Sequence, residues 1–205
     1  METYDYAIIG NSAAAINAVD AIRARDGEGS IGLFCEESYR CYSRPLISYL
    51  VAGEIKPAGM YYRPANYYHR MRVDFHPGER IVSLSPAKKI LTTASKEKVR
   101  WSRLLLATGF TPFLPPIAGL DETNYLTFVS WDDAKRMLSL TARKARALVV
   151  GAGLIGMKAA EALHARGVAV TLVEKLDRVL PLALDGQASR LVAERCREAR
   201  IDILT

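Results

Sequence analysis

The sequence predicts an α/β fold made of two successive βαβ units, and three observations carry that prediction. Two apolar runs, in "YDYAIIGNSAAAINAVDAI" and "RALVVGAGLIGMKAAEAL", read as buried strands that each meet a glycine turn and then a helix rich in small residues. Each helix is followed by another apolar run that ends in acid, "SIGLF" before Glu36 and Glu37 and "VAVTLVE" closing on Glu174. Between the copies the pattern changes to short β-rich runs, and then a proline-rich stretch interrupts the chain.

In the first copy Gly10 supplies the turn after the strand, and the first N–H groups of the following helix are placed to hold a pyrophosphate. Against the GxGxxG pattern of dinucleotide-binding turns, Ser12 stands where the second glycine belongs, and Ala15 is an accepted third small residue. The Cβ of Ser12 narrows the approach to a phosphate, while its hydroxyl offers a hydrogen bond in return. The strand "SIGLF" then delivers Glu36 to the place where a ribose is held in such units.

Next, "SRPLISYLVAG" reads as a helix that Gly53 stops. From Arg72 to Trp101 the runs "RIVSLSP", "KKILTTA" and "KVRW" read as a small antiparallel β-meander, and "SRLLLATG" returns to the parallel sheet. The prolines of "TPFLPPIAGL" can continue neither a helix nor a central strand, which puts a domain crossing near residue 113. Residues 131–140 look helical and lead into the second copy. The expected organisation is one unit over residues 1–113 and a second, incomplete one over 114–205.

The second copy fits the turn pattern fully. Gly151 permits the tight turn, Gly153 lets a pyrophosphate approach the main chain, and Gly156 lets the helix pack close to the strand. The Glu174 carboxylate suits the two hydroxyls of an adenosine ribose and repels a 2′-phosphate. That favours NAD(H) over NADP(H), with Lys175 and Arg178 near enough to soften the preference.

Composition agrees with a soluble α/β enzyme: 205 residues, 50% hydrophobic and 24% charged, bury one or two cores. There is no run of about 18 apolar residues, and the N-terminus enters a strand without a basic and then apolar leader. Cys35, Cys41 and Cys196 are odd in number and form no CxxC pair, which argues against a disulfide framework or a zinc site and for a reducing, cytoplasmic compartment. The net charge of +6, including "RKAR" at residues 143–146, reads as solvated surface or as a face for an acidic protein or an anionic cofactor. No nucleic-acid motif is present, and His69, His76 and His164 share no spacing that indicates a metal or hydrolytic site.

Taken in order, the first turn, an "RP" helix, an "LLLATG" strand, a "PPIAG" crossing and the second turn resemble the FAD-dependent pyridine nucleotide-disulfide oxidoreductase superfamily. Within it, the chain is most similar to NADH-dependent reductases of the rubredoxin, ferredoxin or nitrite reductase type and to related NADH oxidases, over nearly its whole length. The resemblance implies FAD in the first unit and NAD(H) in the second, with the nicotinamide stacked on the isoalloxazine. It implies a hydride passing from NADH to FAD, and electrons then reaching an acceptor such as a small redox protein, O2 or a disulfide.

Position by position, the resemblance has Gly10, Ser12, Ala13 and Ala15 holding the FAD pyrophosphate and Glu36 its ribose. Arg44 and Pro45 of "YSRP" would border the flavin and pyrophosphate, and Thr108 and Gly109 of "ATG" would close over the cofactor. In the second unit Leu154 and Ile155 would shape the nicotinamide pocket, and Lys158 either approaches it or faces solvent.

Three departures stand out. Members that reduce disulfides or peroxides carry a cysteine in the helix beside the flavin, and "RPLISYL" has none; Cys41 just before it is either a redox thiol or a small buried one. Tyr49 occupies the place of a lysine found in ferredoxin-reductase-like members. The superfamily continues past the second turn to a later "GD" motif and an interface domain, whereas this chain ends at "RIDILT", as an N-terminal portion or one half of an assembly would. The aromatic stretch of Tyr61, Tyr62, Tyr67 and Tyr68 with Arg63 and His69 packs a loop onto the core or meets a flavin or partner. Against the enzyme stands a non-catalytic nucleotide-binding or interaction subunit, which Ser12, Tyr49 and the early end favour.

Overall fold

The computed structural model describes residues 1–141 and 145–205, so Arg143 and Lys144 of the basic run lie outside the described residues. In chain order the first elements are β1 (Glu2–Ile9), α1 (Ala13–Arg23), β2 (Ile31–Cys35), α2 (Ile47–Ala52), α3 (Tyr67–Arg70) and β3 (Val73–Pro77). They are followed by β4 (Ile81–Ser85), β5 (Ile90–Thr93), β6 (Lys98–Leu106) and α4 (Trp131–Leu140). The last are β7 (Arg146–Val150), α5 (Leu154–Ala165), β8 (Ala169–Val173), α6 (Gly186–Glu198) and β9 (Asp202–Leu204). The architecture is α/β, as the two apolar-run-and-turn copies imply.

Two compact units result. One comprises Met1–Ser43 with Tyr61–Thr111, the other Arg44–Met60 with Pro112–Thr205. The segment Arg44–Met60, with helix α2, groups with the later residues.

The first unit is one sheet in the order β3-β2-β1-β6-β5-β4, parallel from β3 to β6 and antiparallel from β6 to β4. The strand of "KVRW" and the strand of "SRLLL" are thus one continuous element, β6, which serves the meander with its first half and pairs with β1 along its length. The run "VDFHP", unread in the sequence, is β3 and lies parallel to β2. Helix α1 buries Ala15, Ile16 and Val19 against Ile8, Ile31 and Leu33, a set whose burial contributes roughly 1.5–3 kcal/mol per large aliphatic side chain. On another side of the sheet Tyr4, Ala7, Phe34, Leu91, Val99 and Trp101 form a second cluster. The loop after α1 is held by Arg23, whose guanidinium donates to the carbonyls of Met71, Asp26, Gly29 and Arg72.

The later unit carries β7, β8 and β9 in that order, all parallel. Helix α5 follows the glycine turn, buries Ala159, Ala160, Ala162 and Leu163, and packs on α2 as well as on β7 and β8. Small residues on that face allow the close helix approach. At the far end of α2, Gly53 closes the helix in the left-handed conformation at φ 87°, as its place after "YLVA" predicts. Arg166 at the end of α5 donates from Nε to the carbonyl of Val51 at 2.5 Å and so ties the two helices together. Helix α4 begins with a capping box, in which Ser130 accepts from the Asp133 N–H and Asp133 accepts from the Ser130 N–H.

Candidate functional site

Both glycine turns are built the same way, within their own units. At the first, Ile9 pairs with Phe34, and the next N–H, that of Gly10, donates to the Phe34 carbonyl at 2.8 Å. At the second, Val150 pairs with Val173, and the Gly151 N–H donates to the Val173 carbonyl at 2.7 Å. Each glycine has a positive φ, 123° for Gly10 and 99° for Gly151, in the region that disfavours a side chain. The chain leaves each strand end over the neighbouring strand and enters a helix whose first N–H groups have no helical carbonyl to bond.

Around the first turn the structure gathers most of the expected residues. A Cβ on Gly10 would fall 2.0 Å from the Ala107 carbonyl oxygen, so the end of β6 lies directly behind the turn, followed by exposed Thr108 and by Gly109 at φ 76°. Ser12 caps α1 by position, and among the described residues its hydroxyl makes no capping bond. Ala13 is exposed at the helix start, while Ala15 is fully buried in the core under α1. Glu36 is exposed and pairs with Arg80 at 3.6 Å. Arg44 and Pro45 belong to the other unit, where Arg44 Nη1 donates to the Val129 carbonyl at 2.9 Å.

The second turn is more open. No described atom lies within 4 Å of a Cβ built on Gly153, whereas one on Gly156 would sit 1.8 Å from the Gly151 carbonyl oxygen. The first observation leaves room for a phosphate, and the second fixes the helix against the turn. Glu174 folds back on the turn: Oε2 accepts from the Ala152 N–H at 2.8 Å and Oε1 from the Leu176 N–H at 3.0 Å. These backbone bonds, that of Leu176 first, hold its carboxyl below the ordinary glutamate range. Leu154 and Ile155 are exposed at the start of α5. Lys158 is committed to Glu161 at 2.6 Å and lies over the Tyr49 ring, 5.2 Å from its centroid.

The hydrogen-bond register reveals a difference that spacing conceals. Counted from the carbonyl that receives the turn glycine, the acid is one residue on in the second copy, Val173 then Glu174, and two residues on in the first, Phe34 then Cys35 then Glu36. Successive side chains of a strand point to opposite faces. Glu174 bonds back to its own turn, while Glu36 pairs with Arg80.

Cys41 is buried, and burial pushes its thiol pKa up, away from the thiolate that redox chemistry needs. Tyr67 and Tyr68 belong to the core beneath α1; Tyr67 bonds Ile16 and Asp20, and Arg63 pairs with Asp20 at 2.7 Å. His76 stacks on Phe34 and, with Glu2 and Asp74, brings potential ligand atoms within 4.8 Å of one another; Tyr4 bonds across the same group. Among the described residues no helix is long and apolar enough to cross a membrane.

Two parallel βαβ units, each with a glycine turn at the carboxyl end of its first strand and a helix opening onto it, define a protein of the paired dinucleotide-binding class. The chain belongs to the pyridine nucleotide-disulphide oxidoreductase family, whose pattern it matches over residues 4–205. It is 33% identical over 205 residues to the NADH-dependent phenylglyoxylate dehydrogenase subunit epsilon of Aromatoleum evansii, covering 100% of this chain and 49% of that protein. It is 31% identical to the 5,5'-dehydrodivanillate O-demethylase ferredoxin reductase subunit of a Sphingobium species, over 99% of this chain and 50% of that one. The chain thus spans about half the length of these curated relatives. Among solved structures, a NAD-dependent persulfide reductase from A. fulgidus superposes with a TM-score of 0.91 at 27% identity, over 98% of this chain and 39% of that one.

Proposed function

We propose that the chain is the dinucleotide-binding part of an NADH-dependent flavoprotein oxidoreductase, with FAD held by the first unit and NAD(H) by the second. The observation that carries the reading is the repeated turn: the same glycine-to-strand hydrogen bond occurs twice, each time at the head of a helix of more than two turns. The relatives' names, an NADH-dependent dehydrogenase subunit and a ferredoxin reductase subunit, support it.

In the first unit Gly10, Ser12 and Ala13 present N–H groups and a hydroxyl to the FAD pyrophosphate, and Ala15 keeps α1 close to the sheet. Glu36 is the acceptor for the FAD ribose and exchanges its Arg80 partner for the hydroxyls. Thr108 and Gly109 border the same turn. In the second unit Gly151, Gly153 and Gly156 form the cradle for the NAD(H) pyrophosphate, and Glu174 receives the adenosine ribose and disfavours a 2′-phosphate. Leu154 and Ile155, apolar and exposed at the helix head, shield the nicotinamide from water. Together the bound cofactors supply hydride transfer and the onward release of electrons, for which a small redox protein is the acceptor the relatives' names favour.

The test is the absorption of the purified chain between about 350 and 500 nm, before and after anaerobic NADH. Flavin bands that bleach with NADH are expected. Bands that persist with NADH bound would favour a nucleotide-binding subunit without turnover, and a chain that takes up no FAD when incubated with it would remove the flavoprotein reading for these residues.

A further inference from the structure

The two turns are stiffened by different means. In the second, the Glu174 carboxylate holds the N–H of Ala152, the residue between the two glycines. In the first, the residue in register with Glu174 is Cys35, whose thiol contacts the Glu37 carbonyl and offers the turn no carboxylate. The residue in register with Ala152 is Asn11, and its side chain is clasped at both ends. Asn11 Nδ2 donates to the Tyr39 carbonyl at 3.0 Å, and Oδ1 accepts from the Tyr68 hydroxyl at 2.7 Å.

The direction of this chain of hydrogen bonds is fixed by chemistry. A carbonyl only accepts, so the amide nitrogen of Asn11 must face Tyr39, and the amide oxygen must then face Tyr68. The phenol has to donate to that oxygen, and its own oxygen is left to accept from the Cys41 N–H at 2.9 Å. Tyr68 is 7% exposed and its ring stacks on Phe75 at 3.9 Å between centroids, so packing aims the hydroxyl at Asn11. Segment 39–41 is thereby stapled to the turn from both sides of Arg40, at the point where Ser12 replaces a second glycine.

We propose that Tyr68 and Asn11 are positioning residues for FAD: they set the orientation of the Gly10–Ser12 backbone that receives the pyrophosphate, as Glu174 does for the second turn. This rests on the reading of the first turn as the FAD site. Neither residue need touch the cofactor; each acts through the turn's main chain.

Tyr68→Phe keeps the ring and removes both hydrogen bonds. FAD is titrated into the flavin-stripped full chain, following quenching of FAD fluorescence, and the Kd for NADH is measured on the same samples. In Tyr68→Phe the Kd for FAD should rise about tenfold with that for NADH unchanged, a general loss of order being expected to move both. An unchanged FAD affinity overturns the proposal, and so does an equal loss for both nucleotides. Asn11→Ala removes the clasp from the partly exposed side and decides the matter if Tyr68→Phe does not fold: the same FAD-selective rise is expected, and its absence is fatal to the idea. Wild-type protein that binds NADH but no FAD would refute the underlying FAD assignment, and is seen before any variant is made.

Discussion

The carbonyl oxygen of Gly151 occupies the space into which a side chain on Gly156 would project, with the ideal Cβ only 1.8 Å away. A backbone oxygen cannot rotate aside as a flexible side chain can, so Gly156→Ala must lift the start of α5 from β7. Such overpacking costs roughly 1–3 kcal/mol. Gly153→Ala meets no described atom within 4 Å and should leave unfolding nearly unchanged while weakening NADH binding. Thermal unfolding and NADH titration of the two variants separate a packing glycine from a ligand-facing one.

Glu174 braces Ala152 in the second turn and, on the function proposed above, also meets the ribose. Glu174→Ala should therefore lower NADH affinity by about tenfold or more, one lost charge-assisted contact and one lost brace. NADPH affinity should fall less, because removal of the carboxylate also removes its repulsion of a 2′-phosphate. Fluorescence titration with both nucleotides measures the ratio; an unaltered ratio would mean that the carboxylate does not discriminate.

Tyr4 crosses the sheet over Gly32 to place its hydroxyl between Glu2, Asp74 and His76. A Cβ on Gly32 would lie 2.7 Å from the Tyr4 ring, which burial prevents from moving away. Gly32→Ala should destabilise the first unit by about 1–3 kcal/mol. The double variant with Tyr4→Ala should be more stable than the sum of the single effects predicts, by on the order of 1 kcal/mol. Urea unfolding of the four proteins closes the cycle.

Burial opposes ionisation of Asp133, but the N–H groups of Ser130 and Val129 and the hydroxyl of Thr127 outweigh it and hold the carboxyl below its ordinary 3.8. Because the folded value is the lower one, the carboxylate's stabilisation is complete above the unfolded value and disappears as pH falls through the folded one. Asp133→Asn should cost about 1 kcal/mol at neutral pH. The gap between wild type and variant should shrink steadily below about pH 4, in unfolding curves measured at a series of acidic pH values.

What the sequence made legible was local. Gly10, Gly151, Gly153 and Gly156 announce their turns because the need for a positive φ, an open approach or close packing is met within a few residues of chain. The helix over "ISYLVA" and its stop at Gly53 are legible for the same reason. By contrast, the clasp on Asn11 joins residues 57 positions apart and exists only because β3 pairs with β2, bringing Phe75 and its stacked Tyr68 beneath the turn. The one-residue offset between Glu36 and Glu174 depends on which carbonyl pairs with which glycine, a property of register that residue counting does not contain. Ser102 and Arg103 open the run "SRLLLATG", which reads as a strand separate from "KVRW". They lie within β6, where Arg103 rests its guanidinium over the Tyr6 ring, 5.5 Å from the centroid.

Strand β6 works as a ruler with a mark at each end. Its start is pinned by antiparallel pairing with β5, and its continuation at Ala107 forms the floor behind Gly10. Length changes are thus partitioned unequally: hairpin tips such as residues 86–89 lie outside the ruler and can absorb inserted residues, whereas one residue added or removed inside it either unzips the meander or drives the floor into the turn. The outer hairpin can therefore change shape without disturbing the floor under Gly10, and the nine residues of β6 cannot.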